Sequence, residues 1–180
     1  MDVRELAFST IVRVITTLRL QSIMRLNRRT YPFTDYFKGL ENSEAVREIF
    51  GEKTESVLRE LKVEFAPFVG YMGTSDADGH IIVSARYLKN GDRIDIHLDL
   101  IHELVHVKQF MEGKELFDPN YSYVDRPTEI EAYRHAVEEA RRMGLTDERI
   151  CDYLKAEWMS DEDLKRLAKS LKVTCAGDRR

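Results

Sequence analysis

The stretch "DLIHELVHVKQF", residues 99–110, sets two histidines around a glutamate in the spacing H-E-x-x-H. On a helix, residues four apart lie nearly above one another, so His102 and His106 present two imidazoles to one point and can share a metal ion. Glu103, one position on, can reach a water on that ion without being a ligand itself. Zinc lowers the pKa of bound water to about 7, and a carboxylate beside it can take the proton as the resulting hydroxide attacks a carbonyl. Five letters match by chance too often to decide anything, so the flanks carry the weight. Leu98, Leu100, Ile101, Leu104, Val105, Val107 and Phe110 surround the pair on almost every side. A helix apolar all round is a buried helix. Two histidines and a glutamate inside it need partners to offset their desolvation, and a metal supplies them.

Working outward, Asp92 is placed to cap this helix and Gly113 to stop it, giving a span of about 93–112. The preceding "HIIVSARYL", residues 80–88, is β-branched and apolar and predicts a strand, joined to the helix by the turn "KNGD". "GTSDADGH", residues 73–80, is a turn by its Gly and Asp content, and "TESVLRELKVEFAPF", residues 54–68, begins helical and ends extended over 63–68. Ser43 is positioned to cap a short helix through Phe50. Residues 2–28 contain no Gly or Pro and carry Ala7, Ile11, Val14, Ile15 and Leu18 at helical spacing, until "RRTYPFTDYFKGLENS" breaks the pattern. Downstream, "FDPNYSYVDRP" is a loop, Pro127 opens a helix that ends at Gly144, and two short helices follow with Thr146 and Ser160 as caps. The expected class is α+β: a mainly helical, compact domain with a small β-sheet, built from a helix bearing the histidines and a later helix bearing a glutamate. One domain over 1–180 is expected, with an N-terminal helix (1–30), a core (62–144) and a C-terminal helical extension (145–180).

Two histidines do not complete a metal site. A glycine and a third histidine soon after the motif would fit one known pattern, but Gln109 and Glu112 occupy those positions. The remaining source is a carboxylate from "PTEIEAYRHA", residues 127–136, which offers Glu129 and Glu131. At about 100° per residue, Ala132, Tyr133, Ala136, Ala140 and Met143 gather on one side of that helix. Glu129 falls within this arc, near small alanines that allow another helix to approach closely. Glu131 points nearly opposite, with His135 nearby, and is expected to be solvated.

"HELVHVKQ" (102–109) and "TEIEAY" (128–133), preceded by the strand "HIIVSARYL", resemble the gluzincin metallopeptidases, and the compactness is similar to that of the minimal gluzincins found in archaea. The resemblance covers residues 79–140. It implies a zinc ion bound by His102, His106 and Glu129, with Glu103 as general base and acid, acting on a peptide or protein substrate. In compact gluzincins the third ligand is a glutamate followed three residues later by alanine, and Glu129 with Ala132 has that spacing. Many relatives carry Asp or Asn four residues after the ligand glutamate to orient a metal histidine; here that residue is Tyr133. The departure bears on catalytic vigour more than on zinc binding. A donor to the oxyanion is also required, and Tyr121, Tyr123, Arg126, Tyr133 and His135 all remain candidates. The strand at 80–87 stands where the clan has its active-site edge strand, and main-chain hydrogen bonds from such a strand can hold an extended peptide. The alternative function is a low-activity or latent zinc-binding regulatory or scaffold protein on the same core.

The remaining features narrow the setting. Net charge is -4 over 180 residues with 43% hydrophobic residues, which fits a globular chain and gives no polyanion-binding signature. Six arginines lie in residues 1–30 against Asp2 and Glu5. Apolar residues on more than one side of that segment favour packing over nucleic-acid contact, and any homo-oligomer is expected to form through it. The acidic balance of residues 146–171 argues against DNA contact by the two C-terminal helices, whose Tyr153 and Trp158 are expected to form a packing core. Cys151 and Cys175 are too few for a disulfide framework, and no leader-like or membrane-spanning apolar run is seen, so a reducing cytoplasm is expected. Cys175, in the polar tail, has one speculative role, as a thiolate capping the open zinc position.

Overall fold

Asp92 opens the central helix by accepting hydrogen bonds from the backbone N–H groups of Ile94 (2.9 Å) and Asp95 (3.2 Å). That helix closes on Gly113, whose φ of 73° lets Gly113 N–H reach the Phe110 carbonyl and Lys114 N–H reach the Gln109 carbonyl, both at 2.9 Å. The structure, a computed structural model, describes residues 29–67 and 70–175. The expected N-terminal helix lies outside the described residues. In chain order the elements are β1 (Thr30–Pro32), α1 (Phe33–Tyr36), α2 (Glu44–Phe50), α3 (Thr54–Glu60), β2 (Lys62–Ala66), β3 (Met72–Thr74), β4 (Ile81–Ser84), α4 (Ala85–Asn90), α5 (Arg93–Met111), α6 (Pro127–Arg142), α7 (Asp147–Leu154) and α8 (Asp161–Leu171). Three single 3-10 turns complete them.

The fold is mainly helical with a small four-stranded mixed sheet, as the α+β expectation had it. Strand order is β1-β2-β4-β3, with β2 and β4 parallel and the outer pairs antiparallel. Helix α5 runs between two apolar clusters, which is why its sequence is apolar all round. On one side Ile101, Leu104 and Val105 pack with Val63, Ile81 and Val83 of the sheet. On the other, Leu98 packs with Val137 and Ala140 of α6, Ile150 of α7 and Leu167 of α8. The segment 145–175 therefore shares a core with the site helices. Among the described residues no helix is long and apolar enough to cross a membrane.

Two readings change. The run 80–88 is a strand only over Ile81–Ser84; the Ser84 hydroxyl accepts from Tyr87 N–H at 3.2 Å and turns the chain into α4. A capping serine outweighs the β propensity of the residues around it. Strand β4 is also interior, paired on both edges, so it cannot hold a peptide by main-chain hydrogen bonds. The edge beside α5 is β3. It is joined to β4 through Gly79, whose φ is 74° and where an added Cβ would lie 2.5 Å from the Phe110 ring. Glycine is required there by both conformation and space.

Candidate metal centre

Helices α5 and α6 lie antiparallel, with Ala132, Ala136 and Ala140 fully buried between them, as the alanine arc predicts. His102, His106 and Glu129 are 6%, 6% and 3% exposed. His102 Nε2 and His106 Nε2 are 2.9 Å apart, and Glu129 Oε2 lies 3.3 and 3.5 Å from them. Tetrahedral zinc with bonds of about 2.0 to 2.1 Å places its ligands about 3.3 Å from one another, so this triangle has the right size. Glu129 Oε2 is buried without a hydrogen bond, and two imidazole nitrogens face each other. The arrangement fits a cation at the centre. Without one, the groups compensate each other: burial disfavours the charged form of His106, but Glu129 and Glu103 outweigh it and raise the imidazole to about 9. Burial likewise works against the Glu129 carboxylate, and the two imidazoles overcome it and hold its pKa well below the usual range.

Gln109 fixes which nitrogen of His106 is free. Its side-chain amide donates to the Thr128 carbonyl (3.0 Å) and to Glu131 Oε2 (2.9 Å), which uses both its hydrogens. Gln109 Oε1, 2.8 Å from His106 Nδ1, must then accept, so Nδ1 carries the proton and Nε2 keeps its lone pair for a metal. Glu131 is thus not simply solvated. It is half-buried and bridges Gln109 and Lys114 Nζ (3.0 Å), because the long Gln109 side chain reaches it from α5 around the end of α6. His102 has no such support: its Nδ1 is buried without a partner, and its ring meets the edge of Tyr133 at 4.4 Å between centroids.

Glu103 Oε2 accepts a hydrogen bond from the Thr74 hydroxyl at 2.8 Å, so edge strand β3 orients the carboxylate. Sequence reasoning gave no role in the site to Thr74, which lies in no motif, or to Gln109, which it weighed only as a departure from another pattern. Of the oxyanion candidates, Tyr123 and Tyr133 line cavities at the site, with their hydroxyls 3.1 Å apart. Burial raises both phenols well above their usual range, which keeps them protonated donors. Tyr121 is 46% exposed, Arg126 donates to the Asp118 carbonyl, and His135 lies with Glu48 and Glu138. That last group is another set of potential ligands, but both its carboxylates are exposed and Glu48 is ion-paired with Arg142.

Cys175 is bonded to Cys151 across 24 residues. The chain after α8 packs back on α7 in the second apolar cluster, so the thiol is consumed there and cannot cap a metal. Tyr153 packs within that region, whereas Trp158 is 59% exposed. No family model matches this chain, and no curated protein or solved structure matches it either.

Proposed function

We propose that the protein is a zinc-dependent metallopeptidase of the gluzincin type, with His102, His106 and Glu129 as ligands and Glu103 as general base. The observation that carries this reading is the convergence of three buried ligand atoms within 3.5 Å of one another, with a second, non-ligating carboxylate held beside them. Zinc bound there would polarise a peptide carbonyl and acidify a water. Glu103, oriented by Thr74, is placed to act as the base and acid, and would take a proton from water and return it to the departing amine. Tyr123 and Tyr133 offer neutral phenol hydroxyls to the carbonyl oxygen as charge develops on it. A purely structural zinc site has no need of Glu103. One observation favours the alternative of a weakly active zinc-binding regulator: His102 Nδ1 lacks the acceptor that would hold its ring.

Elemental mass spectrometry of the purified protein should find one zinc per chain. Glu103→Gln should keep the metal and lower peptide hydrolysis by about 10²- to 10⁴-fold. No metal after reconstitution with zinc at neutral pH would end the enzyme reading.

A cytoplasmic setting remains our proposal, and it has to accommodate the Cys151–Cys175 bridge, since disulfides persist in reducing compartments only when they resist reduction. Closing a loop of this length stabilises by about 3 kcal/mol. Rapid alkylation of the freshly isolated protein should therefore modify no cysteine, as read by intact mass, and reduction should lower the melting temperature. Two free thiols in freshly isolated protein would show that the bridge does not form in the cell.

A further inference from the structure

We propose that the cavity flanking His102 and Glu103 is a subsite for a cation, the ammonium or guanidinium of a basic peptide, held next to the bond to be cut. The inference rests on the hydrolase reading for the position of that bond and adds the chemistry of the substrate.

Two cavities meet at Met72, His102, Glu103 and Tyr123. One, of about 150 Å³, holds the ligand triangle and is bounded by Thr74, Leu116 and Phe117. The other, of about 380 Å³, extends toward the N-terminal end of α5. Its floor follows helical spacing: Asp95, Asp99 and Glu103 stand four residues apart on one side of α5, and Asp152 joins them from α7. Its walls are aromatic, with Tyr87, Tyr153 and Trp158 among them.

The charges in this cavity are unequally met. Asp95 is taken by Arg149 at 2.5 Å. Lys155 also lines the space, but its side chain is 56% exposed and pairs with Asp161 at 3.3 Å. Asp99 accepts from the Tyr87 hydroxyl at 2.6 Å, and among the described residues no lysine or arginine ion-pairs with it. Beside it the buried Tyr153 hydroxyl interacts with the same carboxylate, without a hydrogen bond of good geometry. Burial pushes the Asp99 carboxyl up to about 6, as expected of a carboxylate short of counter-charge.

A carboxylate without a lysine or arginine partner, phenol oxygens beside it and several aromatic rings are together the acceptors that a desolvated ammonium or guanidinium needs. An apolar side chain would leave the carboxylate without a counter-charge, and an acidic one would be repelled. The cation can belong to a Lys or Arg side chain or to the free amino terminus of a peptide.

The test is calorimetric titration of the full chain with a chelator present, so that no turnover intervenes. Three probes separate the sources: acetyl-Ala-Lys-Ala-amide carries only a side-chain cation, Ala-norleucine-Ala-amide only a terminal one, and acetyl-Ala-norleucine-Ala-amide none. At least one cationic probe should bind about tenfold or more tightly than the neutral one, and Asp99→Asn should remove that advantage. The lysine probe winning assigns the pocket to a side chain, and the free-amine probe winning assigns it to a chain terminus. Equal affinities for all three, or an advantage that survives Asp99→Asn, would overturn the proposal. Trp158→Ala, at an exposed position where folding is not at stake, should weaken the cationic probe more than the neutral one. Cation binding without hydrolysis of any peptide would count against the enzyme and not the subsite; hydrolysis indifferent both to a basic residue and to a free amino terminus would do the reverse.

Discussion

Helices α5 and α6 bring buried histidine and glutamate together twice, and the two meetings are built differently. Near the start of α5, His97 Nε2 lies 3.0 Å from Glu139 Oε1, and the other oxygen of that carboxylate takes Arg142 Nη1 at 2.6 Å. Each carboxylate oxygen has a partner, so that meeting ties the helices together, and its one unsatisfied polar atom, His97 Nδ1, faces no second ligand among the described residues. One helical stretch further on, His102, His106 and Glu129 point their ligand atoms at a shared centre, and Glu129 Oε2 is left without a hydrogen bond. Burial and residue type are the same in both places. What marks a candidate site is the convergence of three ligand atoms on one centre.

The sharpest way to break this comparison is to remove each glutamate in turn. Glu129→Ala should abolish zinc binding, read as metal content after reconstitution. Glu139→Ala should retain one zinc per chain and lower stability by about 2 kcal/mol, since it removes a buried, charge-assisted hydrogen-bonding partner. Chemical denaturation of the chelated proteins measures the second effect. A Glu139→Ala protein that folds normally but holds no zinc would show that the two meetings are not separate in role.

A smaller effect tests how far the site extends beyond its ligands. Gln109→Ala frees His106 to rotate and should weaken zinc by about 10- to 100-fold, the usual cost of losing a hydrogen-bonded support behind a metal histidine. Glu131→Ala acts one step further out, through Gln109, and should weaken zinc by less than Gln109→Ala. Competition titration against a zinc-binding dye checks both. Equal affinity in wild type and Gln109→Ala would mean that the packing around the ring, not the amide, orients it.

The proposed ligands were legible because they obey helical arithmetic. His102, Glu103 and His106 follow from spacing on one helix, and Glu129 follows from the alanine arc on another. What was not legible depends on contacts between elements. Thr74 sits in a strand of three residues, too short to show an alternating pattern, and meets Glu103 across 29 residues. Glu131 was assigned to solvent because a helical wheel describes the core side of α6 but not a glutamine reaching it from α5. The β-branched run at 80–88 was overextended because its own Ser84 ends it. Spacing of two cysteines says nothing of whether a chain end folds back to join them.

The smallest effect concerns acid. Burial by itself would raise the Glu139 carboxyl, but His97 and Arg142 prevail and hold its pKa below the usual range. A carboxyl with a lower pKa in the folded state than in the unfolded chain binds fewer protons when folded, so unfolding takes up a proton between the two values. Its stabilising contribution is complete above the unfolded value, about 4.5, and is lost as pH falls through the folded one. Glu139→Gln removes this titration and keeps the side chain's size. Zinc must be chelated first, because protons also compete with the metal for the imidazoles and would add an acid limb of their own. Below pH of about 4.5 the melting temperature of the wild type should then fall more steeply than that of Glu139→Gln, while Glu129 titrates alike in both. Parallel slopes would mean that the closed meeting holds α5 to α6 by packing alone, and the contrast with the open one would then lie in geometry and not in charge.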